Sequence, residues 1–208
     1  MSKLNKTDFR EKITKTIEEI EKASHVEIVG VIYPQCGQYL DGSMIWGLIL
    51  ALTSFTFLMF YPMVFGDYLL YTTPIVAYFV GVMISTLIPP VHRLMIAKKR
   101  MFKMIELKAR AVFQKAQLHQ TKERIGILLL FSEFEKKVFV LPDVGVSARV
   151  PEEELSSLIK DLNQAIRSSD VSEQVCNVLK SRTEMLAKYI PQVPDDINEL
   201  PNTIHADL

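Results

Sequence analysis

Between Gly42 and Val91 the chain has no Glu, Lys, Arg or His, and a single Asp, Asp67. That lack removes the usual equipment of a transporter or proton relay, which needs ionisable groups facing a cavity. What remains is two apolar runs, Gly42–Gly66 and Tyr68–Val91. Each is long enough for a helix to cross the hydrocarbon core, which takes roughly 20 apolar residues. With Asp67 alone between them, the pair reads as an antiparallel transmembrane hairpin that serves as an anchor.

Further absences narrow the function. The chain has no G-x-S-x-G, H-E-x-x-H, P-loop or D-x-D pattern, and no nucleophile paired with a base. His25, His92, His119 and His205 never approach a metal-ligand spacing. Cysteine is scarce: Cys36 and Cys176 form no C-x-x-C pattern and read as inert thiols in a reducing compartment. Lys+Arg and Asp+Glu number 24 each, so no net field steers the protein toward nucleic acid or acidic substrates. The first forty residues, rich in Lys and Glu, do not read as a signal peptide. No internal repeat or low-complexity run is visible.

Basic residues are concentrated after the second apolar run, at Arg93, Lys98, Lys99, Arg100, Lys103 and Lys108, while the turn carries none. The positive-inside rule then places both termini of a two-span membrane protein in the cytoplasm. The same residues, Arg93 to Lys103 above all, are candidates for contact with anionic headgroups of the bilayer. They lie beside the membrane without aromatic interleaving, which argues against nucleic acid.

The flanking segments have globular patterning. Phe9, Ile13, Ile17 and Ile20 recur at helical spacing, with Asp8 and Glu11 as a capping pair. Val26–Tyr33 reads as a strand ended by Pro34 and Gly37, and Gln35–Asp41 as a linker. After Pro89-Pro90 a basic helix is expected to about Leu118, with Met101, Ile105, Ala109, Val112 and Ala116 on one stripe. Ile125–Phe131 is short and almost wholly apolar, as in a central strand buried on both faces, and Lys137–Leu141 is its hairpin partner. Pro151 and Glu152–Glu154 open a helix, and Asp170 with Glu173 caps a last one burying Val175, Val178, Leu179, Leu186 and Ile190. A tail is expected from Pro191. The early strand and the later hairpin should share one sheet, because a two-stranded hairpin alone is marginal. The expected fold is α/β, an α/β/α sandwich with a small mixed sheet interrupted by the hairpin. Residues 1–41 and 92–190 would be its two parts, 42–91 the membrane hairpin and 191–208 the tail.

Asp143 is the main candidate for chemistry. It ends a strand beside Gly145, where a carboxylate can hold calcium or magnesium, or simply cap a turn. Glu133 and Glu135 lie at the other end of that strand and are poor co-ligands. Arg124 could bind phosphate or pair with Asp143, and Thr121 could hydrogen-bond the turn.

The run Lys108-Ala109-Arg110-Ala111, Phe113, Leu118, Thr121, Arg124, Gly126–Leu130 and Asp143-x-Gly145 resembles the bacterial, membrane-anchored branch of the TPM domain family. Ile17, Glu18 and Val26-Glu27-Ile28 resemble its opening helix and strand. The chain departs from that branch in Pro142, where alanine is usual, and in Lys136, where arginine is common. The resemblance implies an α/β/α sandwich with a transmembrane pair after the first strand. It marks Thr121, Arg124, Gly126 and Gly145 as motif residues. Some relatives are described as acid phosphatases, some bind divalent metal, and bacterial relatives occur beside LemA-type membrane proteins. The expectation is therefore an interaction or assembly module in a membrane-protein complex, with a LemA-type partner. The alternative is a weak metal-dependent, acid phosphatase-like hydrolase with its site near Asp143.

Overall fold

The computed structural model describes residues 7–121 and 123–193. Its contacts divide the chain into two units, residues 1–36 with 103–208, and residues 37–102. In chain order the elements are α1 (Thr7–Ala23), β1 (Glu27–Tyr33), α2 (Leu40–Phe60), α3 (Asp67–Leu87), α4 (Pro89–Leu94), α5 (Lys98–Lys115), a single 3-10 turn (Leu118–Gln120), β2 (Gly126–Ser132), β3 (Lys137–Pro142), α6 (Val144–Arg149), α7 (Glu152–Ala165), α8 (Val171–Ser181) and α9 (Thr183–Tyr189). The protein is mixed α/β with two long apolar helices inserted after the first strand.

The first unit is built on a three-stranded mixed sheet in the order β1-β2-β3. β1 and β2 run parallel, from Glu27 opposite Gly126 to Tyr33 opposite Ser132. β2 and β3 form the expected antiparallel hairpin, Ile127 opposite Pro142 and Ser132 opposite Lys137. Because successive strand side chains point to opposite faces, the apolar run of β2 splits between two cores. Ile127, Leu129 and Phe131 join Ile28, Ile32, Val138 and Val140 under α1, α7, α8 and α9. Leu128 and Leu130 join Val29, Val31 and Tyr33 under Ile105, Ala109, Val112 and Phe113 of α5. Burial on both faces is the reason β2 could be read as a central strand without any polar alternation.

Several local expectations change. Asp8 and Glu11 do not cap α1: both lie within it and pair with Lys12 and Lys15 one turn on. The expected last helix is two, because the chain breaks at Arg182 between α8 and α9. Asp170 does cap α8, accepting from the Glu173 amide at 3.4 Å. Pro151 precedes α7 as its cap residue, and the three carboxylates Glu152–Glu154 occupy the first turn. Pro191 bridges Ser24, and the remainder of the expected tail, from Pro194, lies outside the described residues.

The second unit is a helical hairpin. α2 and α3 are each 21 residues long, and only 17% and 11% of their most apolar stretches are buried. That pattern is unlike the core helix of a soluble protein. Large side chains such as Leu48, Leu52, Phe57, Ile75, Phe79 and Met83 point outward, while the buried positions are Gly42, Ser43, Gly47, Gly81 and Ser85. A Cβ on Gly47 would lie 2.8 Å from the Tyr78 carbonyl oxygen, and one on Gly81 would lie 2.9 Å from that of Trp46. Helices that meet through small residues and expose large apolar ones are built for an apolar solvent. The hydroxyls of Thr53, Ser54, Thr72 and Thr86 donate to their own helix carbonyls, which satisfies these four donors within the helix. Gly47 and Gly81 are the points of close approach between the two helices, and Ser43 and Ser85 are also buried. The joint is longer than one residue, residues 61–66, and Asp67 is the first residue of α3.

Candidate functional site

The motif residues converge at one corner of the sheet-bearing unit. Arg124, in the left-handed region at φ 57°, leads into β2. Its guanidinium donates to both oxygens of Asp143, from Nε at 3.2 Å and from its terminal nitrogen at 2.9 Å. Asp143 is 4% exposed and also caps α6, accepting from the Val144 amide at 2.7 Å. Its own amide donates to the Gly126 carbonyl, while the Gly145 amide donates to the Arg124 carbonyl at 2.9 Å. Gly145 is small because it must be: a Cβ there would sit 2.4 Å from the Glu123 carbonyl oxygen. A Cβ on Gly126 would sit 2.6 Å from Leu118. The Thr121 hydroxyl donates to the Leu118 carbonyl, and the Arg124 amide to the Thr121 carbonyl. Thr121, Arg124, Gly126, Asp143 and Gly145 thus lock the 3-10 turn, β2 and α6 together.

This geometry bears on a metal at Asp143. A cation would have to displace the guanidinium, and no group of three His, Cys, Asp or Glu side chains able to hold one occurs among the described residues. The corner presents a neutralised, donor-saturated carboxylate, a poor ligand for calcium or magnesium, which seek several oxygens.

A second polar cluster stands at the carboxyl ends of the two parallel strands, and sequence reasoning missed it. The buried carboxylate of Glu135 accepts from the Ser132 hydroxyl and, at 3.0 Å, from the Cys36 amide. Lys108 sits 4.4 Å above the Tyr33 ring, so it belongs to this unit rather than to a membrane-facing row. Burial pushes the Cys36 thiol up from its ordinary 9.0 to about 12, with the Glu135 charge adding and Ser132 and Lys108 opposing. A thiol that resists ionisation is not a nucleophile. The only forward signal for this cluster was a strand end rich in Glu, which reads as an ordinary polar turn.

The expectation that the chain lacks a C-x5-R phosphatase motif is wrong, since Cys176 and Arg182 have that spacing. The structure gives the spacing no such role. Cys176 is buried on α8 in the core, and Arg182 is tied to Glu154, Ser157 and Asp161 of α7. No loop of amides surrounds the sulfur to cradle phosphate, because residues between the two are helical.

Of the basic residues after the second long helix, Arg100 pairs with Asp41 and lies 5.7 Å from the Tyr39 ring centroid. Lys98, Lys99 and Lys103 are exposed on α5, and Arg93 is half-exposed in the last turn of α4. The base of the hairpin is closed by Trp46, which donates to the Val91 carbonyl at 2.8 Å, and by a His92 Nε2–Tyr39 carbonyl hydrogen bond of 2.7 Å.

No protein-family model and no curated protein matches the chain. Among solved structures it is similar to the NMR structure of the BA42 protein from the psychrophilic bacterium Bizionia argentinensis. The TM-score is 0.60 at 17% identity, covering 100% of both chains. At that identity the likeness speaks for the fold and for nothing finer.

Proposed function

We propose that the protein is a two-span membrane protein whose sheet-bearing unit is a cytoplasmic, TPM-like interaction module, with both termini on the cytoplasmic side of a bacterial inner membrane. The observation that carries this reading is the parallel pairing of β1 with β2 across an inserted pair of outward-greasy helices. Strands on either side of the insertion can pair only if the chain returns to the side it left, so an even number of crossings is required. The TPM reading draws support from the motif residues, which meet at one corner as structural ties. That accounts for a recognisable pattern without a catalytic set. A partner within the membrane-protein complex, of LemA type by the family resemblance, is part of the proposal.

The test is in two parts. Single cysteines introduced at Gly66 and at Lys160, each in a chain lacking Cys36 and Cys176, are labelled in intact cells with a membrane-impermeant maleimide. Labelling at residue 66 alone is expected; the reverse pattern, or labelling of both, would remove the proposed topology. Co-purification of the tagged full chain in mild detergent should then bring down a membrane-protein partner. A monodisperse monomer with phosphatase turnover that needs added calcium or magnesium, and is lost in Asp143→Asn, would favour the hydrolase reading instead.

A further inference from the structure

We infer that the segment from Arg93 to Arg100 is a binding surface for anionic phospholipid headgroups, which rests on the two-span reading above. In the hairpin unit the only carboxylates are Asp41 and Asp67. Asp67 opens α3, about 30 Å from that helix's far end at 1.5 Å per residue. Asp41 is engaged by Arg100. No ion pair among the described residues engages Arg93, Lys98 or Lys99, so three cations stand uncompensated at one end of the unit.

Their placement is costly without a negative surface. Lys98, Lys99 and Arg100 fill the first turn of α5, which has no acidic residue, although a helix N-terminus disfavours positive charge. An anionic surface offsets that repulsion as well as the mutual repulsion of the cations. Leu94 is 73% exposed on the same short stretch, and Phe102 is exposed one turn into α5. Apolar side chains beside basic ones suit the boundary between headgroups and acyl chains. The occupant that fits is therefore the negatively charged leaflet itself, with phosphate groups meeting the three cations and acyl chains meeting Leu94.

The purified full chain is reconstituted into vesicles of phosphatidylcholine, and association of spin-labelled phosphatidylglycerol is compared with that of spin-labelled phosphatidylcholine by electron paramagnetic resonance. Phosphatidylglycerol should be preferred roughly threefold at low salt, with the preference shrinking as salt shortens the Debye length. Arg93→Gln with Lys98→Gln and Lys99→Gln should bring it close to one, while Lys160→Gln should leave it unchanged. The salt series on the unaltered chain carries the test by itself if the triple variant inserts poorly. Equal association of the two lipids, in a chain that alkaline carbonate fails to extract, would overturn this inference alone and leave the charges a purely topological role. Extraction by carbonate would overturn the two-span reading together with it.

Discussion

Asp143 does two things at once: it neutralises Arg124 and caps α6. Asp143→Ala removes both, and is expected to cost about 2–3 kcal/mol, lowering the melting temperature of the detergent-solubilised chain. Asp143→Asn keeps an acceptor for the Val144 amide and should cost less than half as much. Equal melting of all three chains would show that the corner is not a tie. The pairing was one of two readings open in the sequence, because Arg124 and Asp143 are charged and sit at adjacent strand ends. The choice between them needed the hairpin register, which brings the start of β2 against the end of β3. Cys36 illustrates the opposite case. Nothing local to its sequence says that Glu135 and Ser132 would enclose it. Its thiol titrates at a higher pH when folded than when unfolded, so folding is favoured while it stays neutral. Below pH 9 the contribution is complete; it is lost as pH rises from 9 toward 12, at most about 1.4 kcal/mol per pH unit. Urea unfolding across that window should show the decline in the parent chain and a shallower one in Cys36→Ser.

At the scale of elements, β3 is an edge strand whose outward groups at Val138 are met by a side chain rather than another strand. Asn163 of α7 accepts from the Val138 amide at 3.2 Å and donates to its carbonyl at 3.0 Å. Asn163→Leu should destabilise the protein by about 1–3 kcal/mol and, with the edge unguarded, raise its tendency to aggregate on heating. Light scattering during a thermal ramp measures both; an unchanged onset would rule out the guarding role. In the hairpin unit, Gly81→Val must push against the Trp46 carbonyl, at an expected cost of about 1–3 kcal/mol. Gly66→Ala, with nothing within 4 Å of its added atom, is the control and should melt like the parent chain. Strands and long helices were legible because unbroken apolar runs mark β1, β2, α2 and α3, and one-sided apolar stripes mark α1, α5 and α7. The extent of β1, β2 and β3 is within a residue of expectation. Short elements were not: α4 and α6 have six residues each, too few to show a period. The break at Arg182 was hidden because Leu186 and Ile190 continue the apolar rhythm of Val175 and Leu179 across it.

At the scale of the whole molecule, one unit is made from two stretches of sequence that the other interrupts. Among the described residues β1 is the first strand, and its ladder partner in the sheet is β2, which follows both long helices. During synthesis, then, the first β segment leaves the ribosome with no mate, and must wait while everything between Tyr33 and Gly126 is made. Under the two-span topology proposed above, a nascent chain that inserts one helix but fails to bring back the second leaves β1 and β2 in different compartments, and the sheet cannot close.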